Sequence, residues 1–189
     1  MRSLSNEIKF ILTQNSLNNL EHFGRSAQEV LEDIVCHTLD EKGLESNVKH
    51  VMSFINNEIF DICFKFIKSG VISEKILAAI IMTNLLSIDN IEILDLIIEK
   101  CSSDFFPSVY GALESLYEIC LVQNNGKTIN CTEDQFYELT FQLIWAIANY
   151  IADDVARIHS LGMTRIIQIV DIINSMCKNQ EFAESCLIF

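Results

Sequence analysis

The sequence predicts an all-α fold, and three observations support this prediction. Half of the 189 residues are apolar, and they recur at the three- and four-residue spacing of a buried helix face. The chain has only one proline and six glycines, fewer than strands joined by tight turns normally need. Its Asn-Gly pair, at 125–126, lies in a polar tract rather than between alternating apolar runs. We therefore expect helices with short connections in one domain over residues 1–189.

The N-terminal third divides into short amphipathic segments. Residues 5–14 and 17–23 predict two short helices, and residues 26–39 predict a longer one with its apolar side chains on one face. Two more helices are predicted at 47–55 and 58–68. Each of these helices has a single apolar stripe, so each needs neighbours to bury it.

The middle of the chain contains the most apolar predicted helix, over 73–88, with Ser73 as its expected N-cap. Because this segment is apolar almost all round, we expect it to be buried in the middle of a stack of helices. An amphipathic helix follows at 91–100. Pro107 is then expected in the first turn of the next helix, where its missing N–H costs little.

The last third begins at a capping signal, Thr132-Glu133-Asp134-Gln135, which predicts the start of a long helix. A short amphipathic segment that ends at Gly162 follows it, and a second apolar helix is predicted over 165–173. Short helices at a rough period, none able to bury its apolar face alone, are typical of a solenoid. The pattern predicts about four irregular repeats.

Residues 136–174 resemble one repeat of the armadillo superfamily. They contain Trp145 and Asn149 in the Trp-x-x-x-Asn spacing of importin-α-like repeats, followed by a short helix, a glycine and a second helix. The resemblance implies a right-handed helical-repeat solenoid of the armadillo/HEAT type. In that family the asparagine binds the backbone of an extended peptide through its amide, and the tryptophan packs on Lys or Arg stems.

The equivalent positions in neighbouring repeats complete the implied peptide site. They are Ile80 and Asn84 in one repeat and Glu114 and Glu118 in the next. Two carboxylates one turn apart repel each other unless a cation lies between them, and a basic ligand residue would supply that cation. The alternatives are a core tryptophan beside an ordinary helical asparagine, and a solvated acidic face.

The net charge predicts the kind of partner, and the lack of targeting signals predicts the cellular compartment. The formal net charge is −13, from 26 acidic and 13 basic residues, which disfavours direct nucleic-acid binding and favours a basic protein partner. The same charge would also keep an apolar chain soluble. With no secretory signal and no membrane-spanning run, we expect a cytoplasmic or nuclear protein. The importin-α-like resemblance implies a part in nuclear transport.

The sequence predicts neither an enzyme nor a cofactor or metal site. The seven cysteines form no Cys-x-x-Cys pair and are expected to be free thiols. The four histidines show no metal-ligand spacing, and no phosphate-binding loop or nucleophile elbow is present. The last four residues, from Cys186, formally fit a prenylation signal but also fit a helix start, so we expect no lipid anchor.

We therefore predict a non-enzymatic adaptor or scaffold that binds a peptide or a partner protein on a concave face. One alternative is a structural subunit of a permanent complex, with the apolar residues 187–189 in its interface. Another is a helical bundle that sequesters an amphipathic partner helix, as viral apoptosis suppressors do, although their Asn-Trp-Gly-Arg signature is absent.

Overall fold

The computed structural model describes residues 26–38, 52, 59–116, 132–152 and 154–176. The elements in chain order are α1 (Ala27–Thr38), α2 (Ile59–Ser69), α3 (Ile72–Leu86), α4 (Ile91–Cys101), a π-helix (Phe106–Tyr110), α5 (Glu133–Ile151), α6 (Val155–Leu161) and α7 (Met163–Met176). None of the described residues forms a strand, so the predicted all-α class is confirmed. The helices predicted at 5–14, 17–23 and 47–55, apart from the helical Met52, lie outside the described residues, as do Glu118 and Cys186.

Helix α3 lies at the centre of the described part of the chain, in contact with α1, α2, α4 and α5. The burial predicted for this apolar helix is confirmed for most residues from Ala78 onwards, whereas residues 72–77, Ile80 and Asn84 are half-buried. Ile81, Met82 and Leu85 have no exposed surface. A helix that is apolar all round needs neighbours on its sides, and the helices around α3 cover most of its second half.

The prediction that Ser73 is the N-cap of α3 is wrong. The helix begins one residue before Ser73, and the N–H of Val71 donates to the Glu74 carboxylate at 3.0 Å. The Ser73 hydroxyl instead donates to the side chain of Gln28 on α1 at 3.1 Å. The Glu74 carboxylate accepts a free N–H at the start of the helix, as a capping hydroxyl would. The Ser73 hydroxyl is therefore not needed as a cap, and its hydrogen bond joins α3 to α1.

The π-helix connects α4 to the C-terminal half of the chain. Pro107 lies in its first turn, so the predicted position of this proline is confirmed, although the sequence did not indicate the wider π turn. Phe105 stacks on Tyr150 of α5 with ring centroids 4.0 Å apart, and Phe106 meets the same ring edge-on at 5.2 Å. These aromatic contacts, which favour such offset and edge-to-face geometry, join the π-helix to α5.

Local capping sets the ends of α5 and α6. The Thr132 hydroxyl accepts the N–H of Gln135 at 3.2 Å, and the Gln135 side chain accepts the N–H of Thr132 at 3.1 Å, so the predicted capping box is confirmed. Asp154 caps α6 by accepting the N–H groups of Ala156 and Arg157 at 2.8 and 3.1 Å.

Gly162 connects α6 to α7 with φ 82° and ψ 144°. Side chains other than glycine rarely adopt this conformation, so the glycine sets the turn between the two helices. The predicted break at this residue is confirmed. Within the described part of the chain, no helix has the length and apolarity that crossing a membrane requires.

Candidate functional site

An open groove of about 270 Å³ lies between α5 and α7. We call it the α5–α7 groove. Its lining consists of apolar side chains from α5, from α7 and from one residue of α6: Phe141, Ile144, Ile147, Ala148, Ile151, Leu161, Ile166, Ile169, Val170 and Ile173. A concave surface with an entirely apolar lining is suited to binding an apolar side-chain stripe, and it has no group that could do acid–base chemistry.

The spacing of apolar residues explains why α5 and α7 form this groove. On α5 the lining residues recur three or four positions apart between Phe141 and Ile151, and on α7 they do so between Ile166 and Ile173. Each helix therefore presents one apolar stripe, and α6 packs against both helices. Ile147 and Ile169 are buried, whereas Val170 is 48% exposed, so the groove has a buried floor and an accessible rim.

Trp145 lies beside this groove without lining it. Its side chain is 36% exposed, and its ring meets Phe141 edge-to-face with centroids 5.2 Å apart. Because Phe141 lines the groove, an apolar ligand at that end would come close to the indole. Trp145 is therefore both a rim residue and a natural fluorescent reporter, since it is the only tryptophan in the chain.

Asn149, one turn after Trp145, is half-buried and points to α3. Its side-chain amide donates to the carbonyl of Thr83 at 3.3 Å, and the Thr83 hydroxyl donates to the carbonyl of Gln142 at 3.1 Å. These two hydrogen bonds join α5 to α3. One N–H of the amide that the armadillo resemblance assigns to a bound peptide is thus used within the protein.

The other described residues of the predicted peptide site lie in two different parts of the chain. Asn84 on α3 is half-buried and donates to the Thr38 hydroxyl of α1 at 3.0 Å, while Ile80 on the same helix is half-buried. Glu114 is exposed and lines a different cleft. None of the described hydrogen bonds or ring contacts joins Glu114 to Trp145 or to either asparagine.

That second cleft has a volume of about 470 Å³ and lies between the π-helix and α7. The Tyr110 hydroxyl donates to the side chain of Gln168, and the Arg165 guanidinium lies 5.3 Å from the Tyr110 ring centroid. Burial, reinforced by the nearby Glu114 carboxylate, raises the pKa of Tyr110. The polar contacts of Tyr110 thus join the π-helix to α7.

The buried cysteines have environments unsuited to nucleophilic chemistry. Cys63 and Cys101 are both buried, and burial raises the pKa of both thiols, that of Cys101 to about 12. A thiol needs to ionise before it can attack a substrate or bind a metal. Among the described residues, no group of three or more His, Cys, Asp or Glu side chains could hold a metal ion.

The sequence analysis did not identify the α5–α7 groove. Its apolar residues were recognised as the buried faces of two helices, which is what their spacing indicates on its own. The only sequence signal for a groove was the Gly162 break, which places α7 close to α5 after the short α6. The open space between the two stripes depends on how far apart the helices pack.

No protein-family model, no curated protein and no solved structure matches this chain. The resemblance of residues 136–174 to an armadillo repeat therefore stays a prediction from the sequence.

Proposed function

We propose that this protein is a non-enzymatic protein-binding scaffold that holds an amphipathic helix of a partner protein in the α5–α7 groove. The observation that carries the proposal is the lining of the groove, ten apolar side chains around about 270 Å³ of open space. Amphipathic helices bind such grooves through apolar residues at i, i+3 or i+4, and i+7. Contiguous accessible apolar surface is also a more specific sign of binding than isolated exposed residues are.

The armadillo resemblance favours a different ligand site, an extended peptide held by Trp145 and Asn149. In that mode the Asn149 side chain would bind the peptide while one of its two N–H groups is held by the carbonyl of Thr83. The α5–α7 groove has open space for a ligand and needs no contribution from that amide, and Trp145 lies at its rim. We therefore place the partner in the groove rather than along the line of Asn84 and Asn149.

The helix contacts of α3 fit either a repeat architecture or a globular bundle. α3 packs against both α1 and α5, as equivalent helices of successive repeats do in a solenoid. The further contacts of α3 with α2 and α4 would suit a globular bundle equally well. A compact domain of 189 residues has a radius of gyration of about 16 Å, so small-angle scattering that gives a clearly larger value would support the solenoid.

The proposed binding function is tested with a charge placed at the rim. Val170→Glu adds a carboxylate to a side chain that is 48% exposed, so it should disturb binding more than folding. The matched control is Ile91→Glu on α4, because Ile91 is apolar, 73% exposed and outside the groove.

The tagged wild-type protein and both variants are expressed in cells, and their captured partners are quantified by mass spectrometry. We expect Val170→Glu to lose partners that Ile91→Glu keeps, while circular dichroism shows the same melting temperature for both variants. Retention of the same partners by Val170→Glu would remove the groove from the proposed function.

A further inference from the structure

We propose that the partner helix in the α5–α7 groove inserts an aromatic side chain over Ala148, beside the ring of Trp145, and that the rest of its docking face is apolar and uncharged. This inference rests on the proposed function, because it assigns the ligand chemistry of the same groove.

Ala148 leaves a gap in the α5 wall of the groove. It is the only alanine among the ten lining residues, and the other nine carry larger side chains. A side chain on a helix covers the surface of the turn that precedes its own Cα. Because alanine has no atom beyond Cβ, it leaves the turn from Ile144 to Ala148 open to a ligand. Trp145 lies on that same turn, so a side chain that fills the gap would come close to the indole.

The wall of α5 beside this gap is aromatic, whereas the part of α7 that lines the groove is aliphatic. Tyr137, Phe141 and Trp145 follow one another at four-residue spacing, so they form a row along one side of α5. Phe141 lines the groove and meets the Trp145 ring edge-to-face at 5.2 Å, while Trp145 is 36% exposed. A ligand ring over Ala148 would add a third ring to this pair. Aromatic pairs are more favourable than burial of their area alone predicts.

The charges around the groove define the rest of the docking face. Residues 139–152 of α5 contain no Asp, Glu, Lys, Arg or His, although the chain has a net charge of −13. On α7, Arg165 lies against the Tyr110 ring in the other cleft, and Asp171 is not a lining residue. A charge that loses its water without meeting an opposite charge is strongly disfavoured. Charge complementarity therefore requires an uncharged docking face on the ligand.

The experiment uses the full-length protein and three fluorescein-labelled helical peptides of 14 residues. All three carry leucines at i and i+7, and they differ only at i+4: phenylalanine in the F-peptide, cyclohexylalanine in the C-peptide and alanine in the A-peptide. Cyclohexylalanine has the shape of phenylalanine without an aromatic ring. The central anchor makes the comparison independent of the direction in which the peptide lies. Dissociation constants come from fluorescence anisotropy, and unlabelled peptides are used to follow the emission of Trp145.

Four proteins are compared: wild type, Ala148→Leu, Ala156→Leu and Val170→Glu. Ala148→Leu fills the gap with another good helix former. Ala156→Leu is its matched control, because Ala156 is exposed on α6 and does not line the groove. Circular dichroism checks that each variant folds. The comparison of the three peptides on wild type needs no variant, so it tests the inference even if Ala148→Leu is unstable.

We expect wild type to bind the F-peptide about threefold to tenfold more tightly than the C-peptide, which is the gain of one aromatic pair, and to bind the A-peptide most weakly. The F-peptide should also shift the Trp145 emission to shorter wavelength, because its ring displaces water from the indole. Ala148→Leu should weaken F-peptide binding more than A-peptide binding, since it fills the space that the ring needs. Ala156→Leu should bind like wild type, and Val170→Glu should bind none of the peptides.

The outcomes separate this inference from the proposed function. If Val170→Glu abolishes binding but wild type binds the C-peptide as tightly as the F-peptide, the groove stands and the aromatic-anchor inference is overturned. A folded Ala148→Leu protein that binds the F-peptide like wild type, or no better discrimination between peptides than the Ala156→Leu control shows, would also overturn it. If wild type shows no saturable binding of any peptide, or if Val170→Glu binds them normally, both proposals are overturned.

Discussion

Asn149→Ala tests whether this side chain holds α5 on α3 or is available to a ligand. The structure gives the amide nitrogen one hydrogen bond, to the carbonyl of Thr83 at 3.3 Å, in a half-buried position. The same carbonyl accepts the N–H of Ser87 at 3.0 Å, so it keeps a partner after the substitution. Removal of a neutral hydrogen bond typically costs about 0.5–1.5 kcal/mol.

Two features place the expected loss at the low end of that range. The 3.3 Å distance is long for an N–H···O hydrogen bond, and alanine is favoured over asparagine in a helix interior by up to about 0.7 kcal/mol. We therefore expect Asn149→Ala to lower the free energy of unfolding by about 1 kcal/mol or less. For a chain of this size that is a melting-temperature change of about 2–4 °C at most.

Asn149→Asp is the matched control, because it keeps the shape of the side chain but replaces the donor with a charged acceptor. At pH 7 its carboxylate would face the carbonyl of Thr83 without a proton between them, which costs about 1–3 kcal/mol or more. Urea unfolding, followed by Trp145 fluorescence and by circular dichroism, measures both variants. The aspartate variant should be clearly the less stable of the two.

Two results would refute this reasoning. If Asn149→Asp were as stable as Asn149→Ala, the hydrogen bond to Thr83 would be absent in solution. If Asn149→Ala kept its stability but weakened ligand binding more than tenfold, the ligand would contact Asn149 itself. The peptide site implied by the armadillo resemblance would then replace the groove.

Three further predictions concern the core, the thiols and pH. Phe66→Ala should lower the free energy of unfolding in urea by about 3–5 kcal/mol, because Phe66 is fully buried; Val71→Ala, at a side chain that is 63% exposed, should change it by at most about 0.5 kcal/mol. At pH 8 the native protein should be alkylated by iodoacetamide at the exposed Cys36 and not at Cys101, since burial raises the pKa of Cys101 to about 12; equal labelling in peptide mapping would contradict this. Hydrogen bonds from backbone N–H groups of α6 lower the pKa of Asp154 below its ordinary value of 3.8, so its stabilising effect is present above that value and is lost as pH falls through the lower folded-state pKa. Asp154→Asn cannot titrate, and its stability should therefore depend less on pH in that acidic range than wild type does.

Local chemistry in the sequence determined the fold class and most element bounds. The helix predicted at 91–100 is found at Ile91–Cys101, and the one predicted at 58–68 is found at Ile59–Ser69. The start of α5 was predictable because the Thr132–Gln135 capping box is made by residues three positions apart. Helical periodicity and capping both depend on neighbours in sequence, so they can be recognised without tertiary contacts.

The candidate site was decided by tertiary packing. The Trp145–Asn149 spacing was visible in the sequence, but only the contact between α3 and α5 directs the Asn149 amide to the Thr83 carbonyl. Likewise, Ile147 and Val170 have the same apolar character in the sequence, yet one is buried and the other is half exposed. An apolar stripe predicts that one face of a helix avoids water. Whether another helix packs directly against that face or leaves a groove beside it depends on the distance between the two helices, which is set by residues far apart in the chain.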